Sequence, residues 1–526
     1  MSDSIKKRKI LSAKMQIIAL TVVLSIISIG AFVYYYQNGL GIAYNDARSH
    51  LDIGRRVVEG LQTGMAQLGS VWLPLMHILM TTTIWNDFMW HSGLAGALFS
   101  MISYVGIGIV IFKFLQRLGI GAIGRFVGVA VFALNPNILY LQSTAMTELL
   151  LLFTMTTGAY YIFIWFEKRD DTLLVQSALW VMLSTLVRYD GWFLFFIATM
   201  LIIVYTLRRE GYSTAEGKVF LFCLFGGFGI VLWLLWNYII FGDPLYFAFG
   251  PYSAHSQQEA FAVNGLLSTK GSWFIASKTY LYAVLLNIGK YISGFALVGM
   301  IVFFLFGKSS KKMLYASLIL FSPILFNILA LYLGHSILFI PNFNGMTTWF
   351  NIRYGTMIIP TVAIFIGFLV GRWKWFTPVL MLAVLLAIGT NFYYEPVTIA
   401  DAKYGKSQKN VNEIGEWLNK NVKNKKGLIL ISVASHDSII FSSGLPMKRF
   451  IHEGVNSIWP SATKNPEEWV RWVIVMPEKS KNSDFLWKAM DNDPKRLRHF
   501  HLAGEFPYAV VYELDNKYFD KIKNKF

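Results

Sequence analysis

The sequence predicts a polytopic α-helical membrane protein, of about eleven transmembrane helices, that ends in a separate extracytoplasmic α/β domain. Three observations predict it. The 526 residues are 55% hydrophobic and only 15% charged, with a mean hydropathy of +0.48, well above the usual globular composition. Apolar runs recur along most of the chain at lengths near the ~20 residues that cross a bilayer. Near Glu395-Pro396 the composition changes, and charged residues become frequent.

The runs fall at roughly 15–36, 93–116, 122–141, 146–166, 172–187, 191–207, 219–240, 280–306, 313–334, 354–371 and 375–392. The first follows Lys6-Lys7-Arg8-Lys9. It is long and lacks a small-x-small cleavage site, so it is expected to stay as a signal anchor. The segment 70–85 is apolar but brief and contains Pro74, which predicts a re-entrant or interfacial helix.

Alternate loops carry Lys113/Arg117/Arg125, Lys168/Arg169, Arg208/Arg209, Lys308/Lys311/Lys312 and Arg372/Lys374. Basic loops mark the cytoplasmic side, so the N-terminus is expected in the cytoplasm. The opposite side then receives the 44–92 loop, the 136–148 turn, 188–190, 241–279, 335–353 and the tail. Much of the +17 net charge is thus a topology signal, and no nucleic-acid partner is expected. Cys223 is the single cysteine, which excludes a disulfide framework and a thiol metal site. The chain has no Asn-x-Ser/Thr sequon, which favours a prokaryotic cell membrane.

Two domains are expected, a transmembrane domain over 1–392 and an α/β domain over 393–526. In the tail, Val411, Ile414, Trp417 and Leu418 stand at helical spacing within Lys409–Val422. Lys426–Ser432, Trp472–Met476 and Tyr508–Tyr512 read as strands, and Pro466 with two acids opens like a helix.

The densest chemistry lies just after the first span, from Tyr44-Asn45-Asp46 through Arg48, His50, Asp52, Arg55 and Arg56 to Trp72, Pro74 and His77. Ionisable groups at a membrane face are costly unless used or paired. Asp46 and His50 stand four apart and can face one cavity, whereas Asp52 and Arg56 are expected to form an exposed helix pair. Tyr44 and Trp72 are the rings among these charges.

Glu148 follows Thr147 at the start of a span, where it can complement the helix dipole with Thr147 as N-cap. Arg188 and Asp190 flank Tyr189 and can neutralise one another. Asn351, Arg353 and Tyr354 sit in a loop that is otherwise nearly uncharged, which makes Arg353 a candidate anion ligand of fork geometry. In the tail, Ser435-His436-Asp437 reads as a helix cap, and His452-Glu453 forms no known metal signature. No cofactor is indicated by the sequence, a divalent cation included, and no metal site is expected.

Together these features resemble the GT-C superfamily of membrane glycosyltransferases, in particular the branch of protein O-mannosyltransferases and lipid A aminoarabinose transferases. The marks are Asn45-Asp46-Ala47-Arg48 after the first span, the apolar segment with Pro74, Thr147-Glu148, Arg188-Tyr189-Asp190-Gly191-Trp192, Asn237 through Asp243-Pro244, and Arg353-Tyr354. They cover roughly residues 10–392. Many members carry two adjacent acids in the first loop; here the pair is Asn45-Asp46.

The resemblance implies an inverting transferase that uses a polyprenyl-phosphate-linked sugar at the extracytoplasmic face. It implies Asp46 as general base, Glu148 as an orienting acid, and Arg353, Arg48 and Arg188 as ligands of the donor phosphate. Tyr44, Asn45, His50, Trp72, His77, Asp190, Asn351 and Tyr354 would line the substrates. The implied partners are the lipid-linked donor, membrane lipids and a protein, lipid or cell-wall glycan acceptor. A transporter or flippase of a lipid-linked substrate is the alternative, but it calls for polar residues at mid-membrane or repeated halves, and neither is visible.

Overall fold

Long apolar runs become helices because a bilayer offers no water to an unpaired backbone group. The computed structural model describes residues 2–522 except 251–252, 254, 256–257, 259–264, 266, 307–317, 344–345 and 405. The chain divides into two compact units, each drawn from several stretches of sequence.

The membrane unit contains Met1–Gly41, Ser70–Met76 and Ala97–Asp401. Among the described residues, five helical segments are long and apolar enough to cross a membrane: Ala13–Gln37, Leu94–Arg117, Glu148–Lys168, Asp190–Glu210 and Ile352–Arg372. Two bent pairs raise the number to seven if each pair is one span: Tyr212–Gly226 with Phe228–Phe241 (45°) and Trp273–Ile288 with Lys290–Phe306 (107°). Ala122–Ala133, Ser322–Leu333 and Thr377–Thr390 are shorter apolar helices. The expected run 280–306 is therefore not one straight helix. The segment 70–85 forms only a six-residue helix, Leu75–Met80. The Lys308/Lys311/Lys312 loop lies outside the described residues.

Small residues set one helix contact in this unit. A Cβ on Gly128 would stand 2.9 Å from the Ala363 carbonyl oxygen, and one on Gly124 2.7 Å from that of Gly367. Only glycine lets these two backbones approach so closely.

The second unit contains Ile42–Gly69, His77–Gly96 and Ala402–Phe526. Its sheet has strands β1 (Ile429–Leu430), β2 (Phe450–Ile451), β3 (Trp472–Val475), β4 (Phe500–Glu505) and β5 (Val510–Leu514), in the order β2-β1-β3-β5-β4. β1 pairs in parallel with β2 and β3, and the other pairs are antiparallel. Leu428, Leu430, Val473, Val475, Leu486 and Trp487 form its core.

The strand expected over Lys426–Ser432 shortens to two residues, and the helix expected at Pro466 is a single 3₁₀ turn, Pro466–Glu468. The helix Lys406–Asn421 and strand β3 lie where hydrophobic patterning put them, and β5 overlaps the expected Tyr508–Tyr512 but begins and ends two residues later. β4 has no clean inward alternation, which is why patterning passes over it. The first-loop helix, Asn45–Val58, belongs to this unit, and every residue from Ala47 to Val57 is buried.

Candidate active site

In the membrane unit, one carboxylate gathers two arginines from distant parts of the sequence. Glu148 opens the helix Glu148–Lys168 and is fully buried. Its Oε1 accepts from Arg353 Nε at 3.0 Å and from Arg188 Nη1 at 3.3 Å. Arg188 Nε also reaches Asp190 Oδ2 at 3.2 Å. Arg353 Nη1 lies 4.0 Å from Asp401 Oδ2. The Tyr354 ring lies against both guanidinium groups, 4.8 Å from Arg188 and 5.3 Å from Arg353.

The loop that carries Arg353 is nearly uncharged, but acids from elsewhere in the chain, Glu148 and Asp401, flank the guanidinium, which sequence spacing could not show. Thr147 occupies the N-cap position but makes no side-chain cap bond; its Oγ1 instead meets Arg188 Nη1 at 3.5 Å.

Two carboxylate oxygens in this cluster, Glu148 Oε2 and Asp190 Oδ1, are buried without a hydrogen-bond partner among the described residues. Unpaired buried acceptors are rare and costly, and these two oxygens have the chemistry to accept from a hydroxyl or an amine. Asn351 takes a left-handed conformation (φ +56°) and bonds the Ile337 carbonyl through Nδ2 at 2.9 Å. Trp72 is half-buried beside Val71, whose carbonyl accepts from the Tyr189 hydroxyl at 3.0 Å.

In the second unit, the first-loop helix carries a mixed-charge cluster. Asp46 is half-buried in its first turn, Tyr44 is buried before it and Asn45 is exposed. Arg48 donates to the Ile42 carbonyl at 2.9 Å and to Ser442 Oγ at 3.0 Å. Burial lowers its pKa to about 10 against the attraction of Asp52. His50 Nδ1 and His77 Nε2 stand 2.8 Å apart, both buried.

Asp52 is 1% exposed and accepts from Trp90 Nε1 at 3.2 Å. The expected exposed Asp52–Arg56 pair is thus corrected: both residues are buried. Arg56 instead sits in the field of three acids, Asp52, Asp437 and Glu453. Burial pushes all three carboxyls above their ordinary range.

Sequence reasoning read Asp437 as a helix cap and not as a neighbour of the first-loop acids. It bonds Ser49 and lies near enough to Asp46 to be raised further by its charge. The tail therefore supplies a carboxylate near Asp46, where the first loop has only Asn45. Nor does Asp437 or Ser435 cap the helix Val433–Ser443. Ser432 does, its side chain accepting from Ser435 N, and Glu453 accepts from Val433 N at 2.9 Å. His436, buried, has non-helical angles inside that helix and lies 3.7 Å from Asp484. Among the described residues no group of three His, Cys, Asp or Glu side chains could hold a metal ion.

The helical membrane unit, with its buried acid–arginine cluster, and the small α/β unit together have the fold of the GT-C membrane glycosyltransferases. The chain is similar to ArnT from Cupriavidus metallidurans bound to undecaprenyl phosphate, with a TM-score of 0.59 at 11% identity over 96% of this chain and 99% of that one. The apo state of the same protein gives 0.57 at 12% identity, over 97% and 99%. The archaeal oligosaccharyltransferase AglB from Archaeoglobus fulgidus, in complex with an inhibitory peptide and a dolichol-phosphate, gives 0.51 at 11% identity over 96% and 77%. At these identities the likeness is one of fold. No protein-family model matches the chain, and no curated protein matches it.

Proposed function

We propose that this protein is an inverting glycosyltransferase that moves a sugar from a polyprenyl-phosphate-linked donor to an acceptor at the extracytoplasmic face of the membrane. The observation that carries the reading is the buried Glu148 carboxylate holding Arg188 and Arg353 within a GT-C fold. Two guanidinium groups beside a membrane helix suit a phosphate anchored by a lipid tail, since the arginine fork matches phosphate oxygens.

In the reaction, an acceptor heteroatom attacks the anomeric carbon on the side opposite the phosphate. The bond from that carbon to the phosphate oxygen breaks, and its electron pair leaves with the lipid phosphate. Asp46 takes the acceptor's proton, a contribution of about 10²–10⁴-fold for a well-placed base. Arg353, with Arg188, stabilises the departing phosphate charge, a role that the family resemblance assigns to Arg48 as well. Glu148 and Asp190 orient the substrates through their unpartnered oxygens, with Trp72, Asn351 and Tyr354 of the membrane unit completing that lining; Tyr44, Asn45, His50 and His77 of the second unit are assigned to the substrates by the family resemblance. The acceptor is a protein, a lipid or a cell-wall glycan. The basic loops favour a cytoplasmic N-terminus and an external tail, and the absence of sequons favours a prokaryotic host.

The test is a membrane-vesicle assay with radiolabelled polyprenyl-phosphate sugars. Label appearing in a new product supports the transferase. Intact donor crossing the bilayer, without a new product, overturns it in favour of a flippase.

A further inference from the structure

Several buried amide side chains lie outside the chemistry just described. The helix Trp273–Ile288 breaks at Gly289 (φ +90°), and the chain turns by 107° into Lys290–Phe306. A break in an apolar unit frees carbonyls that only protein groups can satisfy. Asn135 and Asn137 both donate to the Asn287 carbonyl, at 2.9 and 3.1 Å, and Asn391 donates to that of Ile288 at 2.9 Å.

The Asn287 side chain is not needed for that capping. Its Nδ2 donates to the Ala283 carbonyl and, across to another element, to the Ile352 carbonyl, both at 2.8 Å. Two carbonyl oxygens at one end of an amide fix that end as the NH₂. Ile352 immediately precedes Arg353. From the same helix the Tyr280 hydroxyl donates to the Tyr354 carbonyl at 3.1 Å. A Cβ on Gly355 would stand 2.4 Å from the Ala283 carbonyl oxygen. The backbone is thus gripped on both sides of Arg353.

Asn137 faces the opposite way. Its Oδ1 accepts from the Thr398 backbone N–H at 3.1 Å and from Thr398 Oγ1 at 2.8 Å. Thr398 belongs to the helix Val397–Tyr404, which also carries Asp401, the second acid beside Arg353.

We infer that Asn287 and Asn137 are positioning residues for Arg353. One amide network fixes the backbone that presents the guanidinium and the helix that presents a counter-charge to it. This rests on reading Arg353 as a ligand of the lipid phosphate.

The experiment uses the full-length protein in detergent micelles, with undecaprenyl phosphate as the probe. Dissociation constants are measured for the unchanged chain, Asn287→Ala, Arg353→Ala and the double variant. Misplacing a binding group by about an ångström costs on the order of 10-fold or more, so Asn287→Ala should weaken binding by about 10-fold. The double variant should bind no more weakly than Arg353→Ala alone, because coupled residues are non-additive. Additive losses, or unchanged affinity in Asn287→Ala, overturn the positioning role and leave Arg353 as a ligand. Unchanged affinity in Arg353→Ala overturns the ligand reading and the positioning role with it. Should Asn287→Ala fail to fold, Thr398→Val removes the hydroxyl donor at constant shape. Its smaller loss should likewise vanish in the Arg353→Ala background, and a loss that persists there overturns the inference.

Discussion

Arg353 donates to Glu148 Oε1 at 3.0 Å across 205 residues of sequence, and Arg188 donates to that same oxygen at 3.3 Å. One carboxylate oxygen therefore serves two guanidinium groups. A phosphate arriving at these arginines must compete with it.

The competition gives a signed prediction. Glu148→Gln keeps the shape and one acceptor but removes the charge. The variant should bind undecaprenyl phosphate several-fold more tightly than the unchanged protein, yet melt at a lower temperature in detergent. Removing one partner of a buried ion pair typically costs about 3–5 kcal/mol. Turnover should fall as well, because the orienting acid is lost. Calorimetric titration and thermal melting report the two binding and stability effects separately. Weaker phosphate binding with unchanged melting would mean that the arginines do not face the phosphate.

The base is tested by comparing two acids of the first-loop helix. Asp46→Asn cannot accept a proton and should cut single-turnover transfer by about 10²-fold or more. Asp52 is 1% exposed and bonded to Trp90, so Asp52→Asn should act through stability, with the remaining activity of the folded fraction near normal. Activity per folded molecule, measured for both variants, decides. A dead Asp52→Asn beside an active Asp46→Asn would reassign the base.

The site was legible to different depths in its different parts. Glu148, Arg188, Asp190 and Arg353 stand out in sequence because ionisable groups are rare near spans, and the structure brings these four together. Asp401 did not stand out, since it lies in a polar stretch where an acid carries no signal, and Asp437 reads from the sequence as a helix cap. Asp52 and Arg56 read as an exposed pair, yet both are buried; spacing reports which residues share a face, not what covers it. Hydropathy likewise found the run 280–306 but not its 107° bend, which depends on Gly289 and on three amides from two other segments.

Orientation has its own test. Reporter fusions after residue 215 and after residue 310 should report the cytoplasm, and fusions after residue 260 and at the C-terminus should report the outside. The basic loops at Lys168/Arg169, Arg208/Arg209 and Arg372/Lys374 motivate this. A cytoplasmic C-terminus would remove Asp46 and its tail-borne neighbour Asp437 from the side on which the transfer is proposed.

The second unit should carry an acid-sensitive element at His452. This imidazole is buried, and its Nδ1 accepts from the Gly454 N–H at 3.1 Å. Burial first, and then the positive charge of Arg56, hold its pKa well below the ordinary value. It therefore stays neutral in the folded protein, while in the unfolded chain it takes up a proton below about pH 6.5. Its contribution to stability is fully present above that pH and is lost as the pH falls from there toward its depressed folded value. The raised carboxyls of Asp52, Asp437 and Glu453 run the other way. Their contribution is full below about pH 4, the unfolded carboxyl value, and is lost as the pH rises toward their raised folded values. His452→Asn keeps an acceptor for the Gly454 N–H but cannot be protonated. Melting temperatures of the two proteins, measured in detergent from pH 8 down to pH 5, should run parallel above about pH 6.5 and then diverge. The unchanged protein should lose stability more steeply on the acid side. Parallel curves throughout would mean that His452 takes up its proton in the folded protein as readily as in the unfolded chain.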